Sequence, residues 1–173
     1  MGLIACQWAR ALGVTMIGTV GSDEKGQLAK AHGCTHVINY NKENFVERVK
    51  EITGGKGVDV VLDCTAGAGT MPILLGIEAL KRKAGVMVVQ GEMADFPNFP
   101  IGRMTVKYVT LKSARGHSWK ACELALQQLA SKRFALDKIT THRFGLNDVD
   151  MAIKSVGGKG VPDVIHASLM PWL

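Results

Sequence analysis

The sequence predicts an α/β fold: a doubly wound parallel sheet that lacks its first strand, followed by a short C-terminal α+β segment. Three observations lead there. Short apolar runs such as Thr15–Val20 and Val86–Val89 alternate with helix-length amphipathic stretches, the pattern of parallel strands covered on both faces. Several of those stretches are closed by glycine (Gly13, Gly33, Gly54-Gly55, Gly85), the residue that most readily ends a helix. The 173 residues, 47% hydrophobic and 21% charged, are enough for a folded domain with its own core.

The elements follow in order. Leu3–Leu12 reads as an apolar helix ended by Gly13, and Thr15–Val20 as a buried strand. Ser22 caps a helix over Asp23–Ala31 with acids in its first turn, where they meet the positive end of the helix dipole. His36–Asn39 is a short strand. Glu43–Ile52 is a helix with Phe45, Val46, Val49 and Ile52 on one face. Val58–Leu62 is the third strand, Thr70–Leu80 a helix and Val86–Val89 the fourth strand. Gly91–Arg103 holds two of the five prolines and reads as a loop, with a fifth strand over Val106–Leu111. Ser118 caps a long helix to Lys132 whose core side would be Leu124, Leu126, Leu129 and Ala130. Ile139–Phe144 and Val164–Leu169 read as strands around a short helix capped by Asn147. This is a Rossmann-type pattern over residues 1–135, followed by a short α+β segment over 136–173.

Composition excludes several classes. The net charge is +6, but the positive residues are scattered. The one tight cluster, Lys81-Arg82-Lys83, sits at a helix end where cations complement the dipole, so nucleic acid is not an expected partner. No apolar run reaches the ~18 residues that span a bilayer. Met1 is followed by no basic segment or cleavage site, and a cytoplasmic protein is expected. Cys6, Cys34, Cys64 and Cys122 are widely spaced without a C-x-x-C pair, so they read as reduced, mostly buried thiols. His117, His142 and His166 share no ligand spacing. Neither zinc nor a catalytic acid or base is assigned.

Sheets of this kind bind ligands at the carboxyl ends of their strands. Gly2 stands at the mouth of the first helix, where the last glycine of a G-x-G-x-x-G loop would lie. The TMIGTV strand ends without a carboxylate on its tip, whereas NAD-preferring sites carry one there. Ser22, Lys25 and Tyr40 instead offer a hydroxyl, an ammonium and a phenol, a set that suits a 2′-phosphate. The plainer alternative is a helix cap, a solvated lysine and a rim tyrosine, and Asp23 and Glu24 would repel a phosphate.

The stretch from GLIACQWARALGVTMIGTVGSDEKGQ to GVDVVLDCTAGAGT, with the VINY strand end and the later THRFGL segment, resembles the medium-chain dehydrogenase/reductase superfamily. It is most similar to the NADPH-dependent quinone oxidoreductases and zinc-type alcohol dehydrogenase-like proteins. The resemblance implies a 2′-phosphate near Ser22, Lys25 and Tyr40, and nucleotide contacts at Cys64, Thr65 and Ala66. It implies a nicotinamide side near Gln90, Gly91, Lys112 and Ser113, and NADP(H) in preference to NAD(H). It also implies hydride transfer to or from a small carbonyl, alcohol or quinone-like substrate, and a homodimer. The family's first strand, its first two fingerprint glycines and its catalytic domain are expected upstream of Met1.

Two other readings stand beside this one. VLDCTAGAGT resembles the first motif of S-adenosylmethionine-dependent methyltransferases, with Glu92 placed to hold a ribose, although two strand-helix units precede it. The chain could also be a non-catalytic dehydrogenase fragment. A doubly wound sheet without its central first strand leaves unpaired edges, so the polypeptide alone is expected to be poorly stable and inactive.

Overall fold

A computed structural model describes residues 1–65, 67–91 and 98–173. They form two compact units, Met1–Gly116 and His117–Leu173.

The first unit is α/β with parallel strands throughout. Helix α1 (Gly2–Ala11), strand β1 (Ile17–Val20), helix α2 (Asp23–Ala31) and strand β2 (His36–Asn39) come first. They are followed by α3 (Phe45–Ile52), β3 (Val60–Asp63), α4 (Met71–Ala79), β4 (Val86–Val89), α5 (Ile101–Lys107) and β5 (Thr110–Ser113). Strand β1 pairs with β2, and β3, β4 and β5 pair in that order. These are the second-to-sixth strands of the doubly wound order 3-2-1-4-5-6, so β1 and β3 flank the position of its first strand.

The hydrogen bonds define the two edges that face that position. His36 N–H donates to the Met16 carbonyl (2.9 Å) and Tyr40 N–H to that of Val20 (3.1 Å). Backbone groups alternate between edges along a parallel strand, so Ile17 and Thr19 turn theirs away from β2. Likewise Val86 N–H donates to Asp59 (2.9 Å) and Gln90 N–H to Asp63 (3.0 Å), which turns Val60 and Leu62 outward. Among the described residues nothing pairs with either edge, and Val60 is 57% and Leu62 40% exposed.

Side-chain packing spans this break. Ile73, Ile77, Leu80, Met87 and Met104 join α4, β4 and α5. Cys6, Ala29 and Cys34 seat α1 and α2 on the β1–β2 pair. Ile38, Val49 and Ala79, with Ile17 and Val58 beside them, tie both sheets together through α3 and α4. Fully burying an aliphatic side chain contributes ~1.5–3 kcal/mol, so this third cluster is what keeps the two sheets in one unit. All four cysteines are free, but only Cys6 and Cys34 are buried, while Cys64 and Cys122 are half-buried.

The second unit holds α6 (Trp119–Ser131), β6 (His142–Phe144), α7 (Val149–Val156) and β7 (Ala167–Leu169), with β6 and β7 parallel. Ser118 caps α6 by accepting the Ala121 N–H at 3.2 Å.

Several sequence expectations need correction. Part of the expected loop at Gly91–Arg103 and part of the expected Val106–Leu111 strand are helix α5, and the strand begins only at Thr110. Met104 and Lys107, three residues apart, both turn into α4, and this packing outweighs the β-branched residues around them. No residue of α6 is buried, so Leu124, Leu126, Leu129 and Ala130 are exposed rather than core. Helical spacing determines which residues share a face, not whether anything covers it. Asn147 lies within a 3₁₀ turn over Leu146–Asp148, and α7 starts after Asp148 without a side-chain cap. The expected strand from Ile139 begins only at His142, after a 3₁₀ turn over Leu136–Ile139.

Candidate functional site

The expected site residues collect at the carboxyl ends of the strands in two clusters, one per sheet. At β1–β2, the Ser22 hydroxyl accepts the Lys25 N–H at 3.3 Å and so starts α2. Lys25 is exposed, and its ammonium has no partner among the described residues. Tyr40 leaves β2 and lies over Gly21, where a Cβ would sit 2.6 Å from the phenol oxygen. A glycine is needed there for the ring to rest on the turn. Asn41 fixes the same turn by donating its side-chain amide to the Gly21 carbonyl at 2.8 Å.

Of the two acids that would repel a phosphate, Asp23 is engaged by partners from the end of β2, and Glu24 is held within the turn itself. Asp23 accepts from the Lys42 ammonium (2.5 Å) and from the Asn39 amide (2.8 Å). These partners, Lys42 foremost, hold its carboxyl below the usual carboxylate range, and Asp23 in turn raises the Lys42 pKa. Glu24 is lowered by its own backbone N–H and then by the Ser22 hydroxyl. Asp23 is thus paired with a cation, whereas Glu24 keeps its negative charge on neutral donors, with the exposed Lys25 next to it in the chain. Sequence reasoning missed Asn39, Asn41 and Lys42. The polar tract after β2 was the available signal, but only the fold brings it against the β1–α2 turn.

The second cluster closes β3 and β4. Asp63 is buried and accepts from the Thr65 N–H (3.2 Å) and the Thr65 hydroxyl (2.7 Å). Gln90 and Gly91 each donate an N–H to the Asp63 carbonyl at 3.0 Å. A Cβ on Gly91 would strike the Thr65 carbonyl oxygen and come within 2.8 Å of the Asp63 carboxylate. The β3 and β4 exits therefore touch through backbone, and only glycine fits at 91. Val88 and Val89 register with Lys112 and Ser113, so these exposed side chains line the next exit. Ala66 and Glu92 lie outside the described residues.

Burial raises the Cys64 thiol pKa, opposed by the α-ammonium of Met1 and reinforced by Asp63. No side chain caps α1, and nothing stands within 4 Å of where a Gly2 Cβ would be. Among the described residues no group of three or more His, Cys, Asp or Glu could hold a metal ion.

A family model described as zinc-binding dehydrogenase matches residues 1–131. The quinone oxidoreductase of Salmonella typhimurium is 40% identical over 162 residues, covering 88% of this chain and 48% of that protein. The 2-haloacrylate reductase of a Burkholderia species is 59% identical over 63 residues, 36% of this chain and 19% of that protein. Among solved structures, Escherichia coli quinone oxidoreductase complexed with NADPH matches with a TM-score of 0.78 at 31% identity, over 98% of this chain and 53% of its own. The chain spans about half the length of these quinone oxidoreductases.

Proposed function

The chain belongs to the zinc-binding dehydrogenase family, within the medium-chain dehydrogenase/reductase superfamily, and on that premise we propose that it is the NADP(H)-binding portion of an oxidoreductase acting on a small carbonyl, alcohol or quinone-like substrate. The observation that carries this reading is the β1–β2 exit. There Tyr40 lies over the Gly21 turn, Ser22 starts α2 with the exposed Lys25 in its first turn, and one of the two nearby carboxylates, Asp23, is already paired with Lys42 and Asn39. A 2′-phosphate would meet an ammonium, a hydroxyl and a phenol there, against the remaining charge of Glu24. The bound cofactor supplies the hydride chemistry. The protein's part is to orient it: Gly2 and the uncapped turn of α1 toward the pyrophosphate, Cys64, Thr65 and Ala66 toward the nucleotide, and Gln90, Gly91, Lys112 and Ser113 toward the nicotinamide side.

In this reading residues 1–135 are the dinucleotide-binding part and 136–173 return toward a catalytic part. The chain itself holds no zinc, and the protein is a cytoplasmic homodimer. Exposure of all four β5 residues at the end of the sheet order supports a dimer edge. Among the described residues no helix is long and apolar enough to cross a membrane. None of the relatives named above is a methyltransferase. The two unpaired edges favour the second reading, a non-catalytic dehydrogenase fragment.

Titration of the 173-residue chain with NADPH and NADH tests this proposal. NADPH is expected to bind at least tenfold more tightly, and Lys25→Ala to remove most of the difference, since a charge-assisted hydrogen bond contributes ~1.5–3 kcal/mol. Equal affinity for the two cofactors, or stabilisation by S-adenosylmethionine alone, would overturn it.

A further inference from the structure

At the end of the strands opposite the candidate site the chain builds a charged cavity. Its walls come from the end of α3, the loop before β3, the end of α4 and the inner side of α5, all at the amino ends of the strands. Five cationic side chains, Lys50, Lys56, Arg82, Arg103 and Lys107, line it with one carboxylate, Glu78. Arg103 grips Glu78 with both arms of its guanidinium, and Arg82 donates to the Val106 carbonyl at 3.3 Å. That leaves the ammonium groups of Lys50 and Lys56 without partners among the described residues.

Lys107 is the decisive group. It is 9% exposed, and its ammonium donates to the carbonyls of Ile77 and Glu78, each at 2.8 Å. An ammonium has three N–H donors, and the third has no protein partner among the described residues. Burial lowers its pKa, and the fields of Arg103, Lys50 and Arg82 lower it further against the opposing pull of Glu78. Lys107 thus shares the cavity wall with Arg103, Lys50, Arg82 and Lys56.

The cavity is about 210 Å³, below the ~300–1,000 Å³ of sites for drug-sized ligands, a size that suits a small ion. One wall is rigid: Gly57 has φ +81, and a Cβ there would lie 2.6 Å from the Ala79 carbonyl. We propose that this cavity is an anion site, separate from the carboxyl-end cluster, which takes a small phosphate-type oxyanion such as inorganic phosphate or pyrophosphate. Bound there, the anion accepts the free Lys107 N–H and pairs with Lys50 and Lys56, joining α3 to α5.

Calorimetry and thermal melts with pyrophosphate on the full chain test the proposal, with chloride added to equal ionic strength as the control. One-to-one binding is expected, with a melting temperature raised by about 5–10 °C at a hundredfold excess over Kd. The Lys50→Ala/Lys56→Ala double variant is expected to weaken binding at least tenfold and to melt within about 2 °C of the parent without ligand. The Lys50→Arg/Lys56→Arg variant should retain binding. An unchanged Kd in the alanine variant would overturn the proposal, as would an equal shift from chloride alone. Displacement of pyrophosphate by NADPH would also overturn it, by assigning the anion to the nucleotide site. If NADPH does not bind at all, the lysine variants still decide this proposal independently.

Discussion

Replacing Lys107 with methionine tests how the end of α4 is held. The last four carbonyls of a helix have no intrahelical donor, and here each has a substitute. Leu80 N–H serves Gly76, Val58 N–H serves Ala79, and the Lys107 ammonium serves both Ile77 and Glu78. Methionine keeps most of the packing stem and removes both donors. Each buried carbonyl left unsatisfied costs ~1–3 kcal/mol, and part of this is offset because an ammonium no longer has to be desolvated. The net expectation is a loss of about 2–3 kcal/mol. With a urea m-value of ~1–3 kcal/mol/M, the midpoint should fall by about 1 M at unchanged m. Lys81→Met, which breaks only the partly exposed pair with Asp59, should cost no more than ~1 kcal/mol. A midpoint shift below ~0.2 M for Lys107→Met would refute the carbonyl accounting. The pH dependence gives a second check. The folded Lys107 pKa is lowered from 10.5, so the unfolded chain binds the proton more tightly. Its contribution to stability therefore rises with pH between the lowered value and 10.5, a slope the variant should lack.

Cys6 gives the opposite sign. Burial first, then the adjacent Cys34, pushes its thiol pKa from 9.0 up to about 11. The folded state thus favours the protonated thiol; that stability is complete below pH 9 and is lost as pH rises toward 11. Denaturation midpoints at pH 8 and pH 10.5 should show the loss, reduced in Cys6→Ala. Gly91→Ala should force the β3 and β4 exits apart and abolish cofactor binding even where the chain still folds; near-parental binding by isothermal titration would sink the close-packing argument. The free edges of β1 and β3 should leave the isolated chain with a stability at or below the low end of the ~5–15 kcal/mol typical of domains. Cooperative unfolding above that range, together with NADPH-dependent turnover by the 173-residue chain, would contradict this.

Sequence alone determined the parallel α/β class, the order of the strands and the position of the break. Each follows from local signals: apolar runs at Ile17–Val20 and Val86–Val89, helix-starting Ser22, terminating glycines, and the known strand order of the fold. It also brought Ser22, Lys25 and Tyr40 forward, because residues at strand ends share one side of a parallel sheet whatever the packing. Tertiary structure decided the rest. Helix α5 exists because Met104 and Lys107 have α4 to turn into, and α6 stays exposed because no packing covers its leucines. The pairing of Asp23 with Lys42 joins residues nineteen positions apart, and the cavity beneath the sheet gathers cations from α3 to α5. Short-range pattern encodes backbone periodicity. It does not encode which surfaces meet, and charge balance at a site depends on that meeting.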